Sequence, residues 1–244
     1  MGQVISLREA VTLAGRFPLL AGVSLGVERG EIVHLRGPNG AGKSSLLRLC
    51  AGLLPIAGGE AFVLGHDLTL DRQSVRREIG LLGHSTFLYD DLTVVDNLRF
   101  AVRASRADPA GIAPALDQLG LTGRLTGTRV SGLSAGQRRR CALAVVVARR
   151  PALWLLDEPH AGLDAEGRGL LDAIMNEARG GGATIVFASH ELDRADAIAD
   201  RSVAIAGGRV VEPAGPAEAV GPLAADLTVA VVTRLPVEAG CDVA

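Results

Sequence analysis

Residues 37–44 read Gly37-Pro38-Asn39-Gly40-Ala41-Gly42-Lys43-Ser44, and Lys43 is the only lysine among 244 residues. The stretch fits G-x-x-x-x-G-K-[ST], a loop whose backbone N–H groups cradle phosphates while its lysine reaches toward the β- and γ-phosphates. The other 24 of the 25 Lys and Arg residues are arginine. Where any cation would do, the chain uses a guanidinium, but a phosphate loop needs a compact point charge on a thin stem, which a planar five-donor fork does not supply. The exception at position 43 therefore marks a working nucleotide site. Ser44 is expected to place its hydroxyl on Mg²⁺.

The surroundings supply the context that the motif requires. Val23, Leu25 and Val27 alternate with small or polar residues, and Glu31 to Arg36 follows Arg29-Gly30, which predicts a strand pair leading into the loop. A helix is predicted from Lys43 to about Leu53, then a turn at Gly58-Gly59 and a strand from Ala61 to Leu64. From His84 to about Gly132, apolar residues at Leu92, Val95, Leu98, Ile112, Ala115, Leu116 and Leu119 recur at helical spacing, punctuated by Pro109 and Pro114. Strands at Leu153 to Leu156 and Thr184 to Ala188 then alternate with helices near Ala165 to Ala178 and Glu191 to Ala199, the pattern of a parallel α/β sheet. A final hairpin turns at Gly207-Gly208.

Leu153-Trp154-Leu155-Leu156 runs directly into Asp157-Glu158 and Pro159. An apolar strand ending in two carboxylates puts both at the C-terminal sheet edge, where α/β proteins bind ligands. Asp157 there would hold Mg²⁺ through water, and Glu158 would polarise an attacking water as a general base. Leu133-Ser134-Ala135-Gly136-Gln137 opens a helix with a hydroxyl and small residues; alone it reads as a helix cap or as a second anion site.

These motifs, in this order, resemble the ATP-binding cassette (ABC) ATPase family, whose LSGGQ signature is here LSAGQ, with Ala135 in place of a glycine. The resemblance covers about residues 4 to 211. It implies an α/β fold: a P-loop NTPase with a parallel-sheet core, an N-terminal antiparallel β-subdomain and a small α-helical insert. The corresponding division is 1–83 and 133–211 for the two parts of the ATPase core, 84–132 for the insert and 212–244 for a tail of unknown role. ATP and Mg²⁺ are the implied cofactors, with Gly37 to Ser45 (including Ser45 itself) binding the nucleotide.

The resemblance further implies a head-to-tail homodimer in which Leu133, Ser134, Ala135, Gly136 and Gln137, with Asp164 of Ala161-Gly162-Leu163-Asp164, meet ATP held by the partner. His190, after the Thr184 to Ser189 strand, matches the switch histidine that contacts the γ-phosphate. The family drives a membrane permease, docked near His84 to Asp91, from the cytoplasmic membrane face. The compact insert, Leu82-Gly83-His84 and LSAGQ look most like the ATPase subunit of heme exporters for cytochrome c maturation. An exporter for a drug, lipid or other solute is the alternative within the class, and a soluble cassette ATPase of the iron–sulfur assembly type is the alternative outside it.

Two positions depart from the family. A glutamine normally opens the insert, contacting Mg²⁺ and sensing the γ-phosphate, whereas His84 stands there; a neutral imidazole can accept from a metal-bound water, so acid should weaken turnover. The adenine-stacking aromatic has one candidate, Phe17, which reads equally as a core or hairpin residue.

Composition narrows the classes further. A net charge of −2 gives no footprint for nucleic acid, and Arg138-Arg139-Arg140 reads as a solvated helix face. Aromatics are 3% of residues, so small aliphatics should fill the core. Cys50, Cys141 and Cys241 lack metal or redox spacing and imply no disulfide. The apolar run from Cys141 to Ala148 is far short of the roughly 20 residues of a membrane-spanning helix, so no direct membrane span is expected.

Overall fold

Alternation along the chain separates into two sheets in the computed structural model, which describes residues 2–83 and 85–211. His84 and the 212–244 tail lie outside the described residues. β1 (Gln3–Ala14) and β2 (Phe17–Glu28) form a long hairpin, joined on the β1 side by β4 (Gly58–Val63) and then β5 (His66–Asp67) in an antiparallel sheet of order β2-β1-β4-β5. The second sheet has the order β10-β9-β3-β8-β7-β6. Its strands are β3 (Ile32–Arg36), β6 (Ile79–Leu82), β7 (Leu153–Asp157), β8 (Thr184–Ala188), β9 (Arg201–Ala206) and β10 (Arg209–Val211). All its pairings are parallel except β9 with β10, the hairpin at Gly207-Gly208.

The predicted strand pair before the phosphate loop is corrected here. β2 and β3 are consecutive but belong to different sheets: β2 pairs with β1, and β3 runs between β8 and β9. The alternation in β2 suits a strand with one solvated face. Ile32, Val33, His34 and Leu35 are all buried, as a central parallel strand requires. The Gly58-Gly59 turn is also corrected, because both residues lie inside β4. Gly59 has φ +76°, and a Cβ there would fall 2.1 Å from the carbonyl oxygen of Glu9. The pairing of β1 with β4 shifts register between Arg8 and Val11, so glycine at 59 accommodates a bulge.

Side-chain alternation in the second sheet builds two cores. Val33, Leu35, Leu153, Leu155, Val186 and Ala188 point to one face and pack with the antiparallel sheet and with α1 (Lys43–Cys50), through Leu46, Leu47 and Leu49. Ile32, Trp154, Leu156, Ile185 and Phe187 point to the other. There they meet α3 (Val94–Ser105), α4 (Ile112–Gln118), α5 (Ala135–Arg149) and α6 (Ala165–Gly180). The remaining helices are α2 (Arg72–Glu78) and α7 (Leu192–Ile198). Aliphatic packing dominates both cores: Phe187 and Trp154 are the buried aromatics, and full burial of one such large side chain contributes about 2–3 kcal/mol.

The Cys50 and Cys141 thiols are free and buried, and burial pushes each pKa up to about 12, so both remain protonated apolar fillers. Among the described residues no helix is long and apolar enough to cross a membrane.

Candidate nucleotide and catalytic site

Strand order decides what meets at the site. β3, β8 and β7 are adjacent and parallel. Their C-terminal ends therefore bring together the loop from Gly37, the pair Asp157-Glu158 and the segment Ser189-His190. The resulting cleft, of about 380 Å³, is lined by Asn39 to Ser45, Asp157, Glu158 and His190, with Pro18 and Leu19 from β2 as a wall.

Local sequence shapes the loop. Gly37 has φ +146°, and a Cβ there would collide with the Ile205 carbonyl oxygen at 2.1 Å. Gly42, at φ +110°, is wedged against Leu19, Leu20 and Gly208. Gly40, at φ +78°, has open space where its Cβ would stand. Gly42 caps α1 without a side-chain acceptor, so the first-turn N–H groups and the positive helix end are left for an anion. Lys43 is buried at 7% exposure, and its Nζ donates to the carbonyl oxygens of Gly37 (2.6 Å) and Pro38 (3.1 Å), which holds the charge over the loop.

Asp157 is 8% exposed and shares the cleft with Ser44. A carboxylate and a hydroxyl facing one phosphate cradle are the hard oxygen donors that suit Mg²⁺, so the residues present fit both the nucleotide and the ion.

Glu158 adopts φ +47°, a left-handed conformation uncommon for a residue with a Cβ. Its amide donates to the Ala188 carbonyl oxygen at 2.9 Å, tying the end of β7 to β8. The carboxylate faces His190: the His190 amide donates to Oε2 at 3.3 Å, and Nε2 lies 3.3 Å from Oε1. Oε1 is buried against the His190 imidazole, while the Glu158 side chain as a whole stays 28% exposed on the cleft, where a water can reach the carboxylate. A carboxylate with an available acceptor and an imidazole opposite a phosphate cradle can orient and deprotonate that water.

Other sequence candidates lie elsewhere. Phe17 does not line the cleft; it is 78% exposed at the β2 end of the hairpin, paired with Ala14, so it is a hairpin residue and not a core one. Leu133, Ser134, Ala135, Gly136, Gln137 and Asp164 are absent from the cleft lining. Leu133 is buried, whereas Ser134 and Ala135 are exposed at the start of α5. Ser134 and Gln137 form a reciprocal capping box, Oγ accepting from the Gln137 amide at 3.2 Å and Gln137 Oε1 from the Ser134 amide at 3.0 Å. Asp164 caps α6 by accepting from the Gly167 amide at 2.8 Å.

The reading of Arg138-Arg139-Arg140 as a solvated face fails at its middle residue. Arg138 reaches Asp90 and Arg140 reaches Asp164, both near the surface, but Arg139 is buried at 8% exposure. Its Nη1 donates to the Gly83 carbonyl oxygen at 2.7 Å, and its Nη2 donates to those of Asp157 (2.9 Å) and Glu158 (2.6 Å). Burial lowers its pKa, opposed by the Asp157 and Glu158 charges. No spacing distinguished it from its neighbours.

The sequence pattern describing ABC transporters matches residues 20–161. The sulfate/thiosulfate import ATP-binding protein CysA 2 of Chromobacterium violaceum is 40% identical over 84% of this chain, which spans 56% of that protein's length. The cytochrome c biogenesis ATP-binding export protein CcmA of Nitrosomonas europaea is 36% identical over 78% of this chain and 89% of its own length. Among solved structures, an ATP-binding subunit of an ABC transporter superposes with a TM-score of 0.80 at 28% identity, covering 85% of this chain and 88% of that one. A dimeric bacterial ABC transporter cassette gives 0.75 at 25% identity, covering 84% and 96%.

Proposed function

The chain belongs to the ABC transporter family, and from that premise we propose that it is the ATP-hydrolysing subunit of a transporter, working as a head-to-tail dimer on a separate membrane permease. The observation that carries the reading is the single cleft uniting Lys43, Ser44, Asp157, Glu158 and His190. Lys43 and the N–H groups of the loop hold the β- and γ-phosphates, and Ser44 and Asp157 hold Mg²⁺. Held by Ser44 and Asp157, Mg²⁺ would supply positive charge against the phosphates. Glu158 accepts a proton from the attacking water while His190 orients that water against the γ-phosphate. The exposed Ser134 of each copy completes the site of the other, with Gly136, Gln137 and Asp164 beside it; hydrolysis removes the γ-phosphate that bridges the copies, and they part.

A partner surface is supported by where the aromatics stand. Among five Phe, one Tyr and one Trp, only Phe187 and Trp154 are buried. Phe87, Tyr89 and Phe100 are exposed on the segment between β6 and α5, Tyr89 and Phe100 edge to face with ring centroids 4.9 Å apart. Exposed aromatics in an aromatic-poor chain fit a protein interface. They support a permease partner over a soluble cassette ATPase, and with it a peripheral position on the cytoplasmic membrane face as part of the proposal. The cargo proposed is heme for cytochrome c maturation, supported by the CcmA relative being matched over most of its length; the sulfate relative keeps import of another solute as the second reading.

The test is to co-purify the membrane partner and measure ATPase in lipid with heme or sulfate added. Tyr89→Ala with Phe100→Ala is expected to keep basal ATPase within about twofold, as exposed substitutions do, while abolishing stimulation by the partner. Full stimulation in that variant would remove the interface, and stimulation by sulfate and not heme would reassign the cargo.

A further inference from the structure

Arg139 is the one buried cation in the protein's described part besides Lys43. Its three acceptors are all main-chain carbonyls, from two separate segments: Gly83 at the end of β6, and Asp157 and Glu158 at the end of β7. Buried guanidinium groups usually face carboxylates fork to fork. This one grips backbone, and at Glu158 the backbone is in its left-handed conformation, φ +47°. That conformation turns the Glu158 carbonyl toward Arg139 while the carboxylate faces His190. The Ala161 amide also donates to that carbonyl oxygen, at 3.1 Å, so the turn and the shorter Arg139 bond at 2.6 Å share its orientation, and Arg139 alone links it to α5.

Arg139 also sits one turn from the start of α5, the helix capped by Ser134. Arg138 and Arg140 on either side tie the same turn to Asp90 and to Asp164. A small displacement of α5 therefore reaches Glu158 through a single rigid fork.

We propose that Arg139 is a positioning residue for ATP hydrolysis: together with the Ala161 amide its guanidinium holds the Glu158 main chain left-handed, so that the carboxylate stays opposite His190, and it makes that geometry depend on the seating of α5 and of the Gly83 segment. Lysine cannot replace it, because one ammonium nitrogen cannot span Gly83 on one side and Asp157 and Glu158 on the other. The inference rests on the assignment of Glu158 as the base.

The experiment is a double-mutant cycle between Arg139→Lys and Glu158→Gln, read as single-turnover rate, steady-state kcat and KM for ATP. Arg139→Lys alone is expected to lower kcat about 10- to 100-fold with KM changed less than about threefold, the signature of a displaced catalytic group. Introduced into Glu158→Gln it should lower the residual rate by less than about threefold, since the carboxylate it positions is already gone. Arg139→Gln, whose single donor nitrogen sits on a shorter side chain, should lose at least as much as Arg139→Lys. Wild-type kcat in Arg139→Lys, an equal loss in both backgrounds, or failure of both Arg139 variants to fold would overturn the inference in favour of no role or a purely structural one. Glu158→Gln by itself separates the premise: full turnover there sinks the assignment of Glu158, whereas full turnover in Arg139→Lys beside an inactive Glu158→Gln sinks only the role of Arg139.

Discussion

Glu158→Gln is expected to bind ATP with near-normal affinity and to turn it over about 10²–10⁴ times more slowly, the usual contribution of a general base. The amide is nearly isosteric, so the left-handed main chain, the Arg139 bonds and the Glu158 amide's bond to Ala188 have no reason to change. What is lost is a basic oxygen. In the native site the carboxylate is part-exposed on the cleft with Oε1 3.3 Å from His190 Nε2, and an amide in its place cannot take a proton from water. ATP should accumulate uncleaved, and with ATP as the proposed bridge between copies, the variant is expected to elute as a dimer in Mg-ATP and as a monomer in Mg-ADP. Rate and elution come from the same preparation; hydrolysis at the wild-type rate would show that another group is the base.

An effect of similar size is expected from Lys43→Arg, although the charge is unchanged. Lys43 is 7% exposed, and its Nζ threads between the Gly37 and Pro38 carbonyl oxygens in a loop where Gly37 and Gly42 already stand against neighbouring backbone. A guanidinium is wider than an ammonium and must satisfy five donors. The space that admits a thin stem does not admit the fork without opening the loop. ATP affinity should fall by at least about tenfold, which corresponds to about 1.4 kcal/mol, and kcat should fall with it. Equilibrium binding of a fluorescent ATP analogue measures the first and phosphate release the second. Near-normal values for both would mean that the lone lysine reflects only codon usage.

Much of this site was legible because its residues are punctuated by the elements that carry them. The phosphate loop is bounded by a buried strand and a helix, and Asp157-Glu158 and His190 each follow an apolar run with no other reading than a central strand. Parallel strands buried on both faces print as continuous apolar runs, and β7 and β8 did so. The antiparallel part was harder. β1 carries several register shifts and a left-handed Glu9, so its burial pattern does not alternate cleanly, and only part of the β1–β2 hairpin announced itself. β6 is four residues long and α2 seven, both too short for periodicity to register.

Arg139 was illegible for a different reason. α5 buries residues around much of its circumference, so the usual rule that a basic run marks a solvated face has no apolar stripe to contrast with. What Arg139 contacts is backbone, and backbone carbonyls leave no pattern in sequence. Phe17 was legible as a hairpin or core residue or as an adenine platform, and its exposure at the end of the β1–β2 hairpin removes only the core reading, because burial at a hairpin end leaves no mark in the residue type.

The central claim is that each catalytic site is built from two copies of the chain, and mixing two inactive variants tests it most directly. In Ser134→Arg the loop is intact but the surface offered to the partner is blocked; in Lys43→Ala that surface is intact but the cradle has lost its cation. A mixed dimer has one complete site, Lys43 from the first chain facing Ser134 from the second, while neither variant alone has any. ATPase activity measured against mixing ratio should be negligible at both ends and rise to a maximum near equal amounts. Activity that stays at background at every ratio, or a wild-type chain that hydrolyses ATP at an undiminished rate when diluted to a monomer, would contradict the composite site.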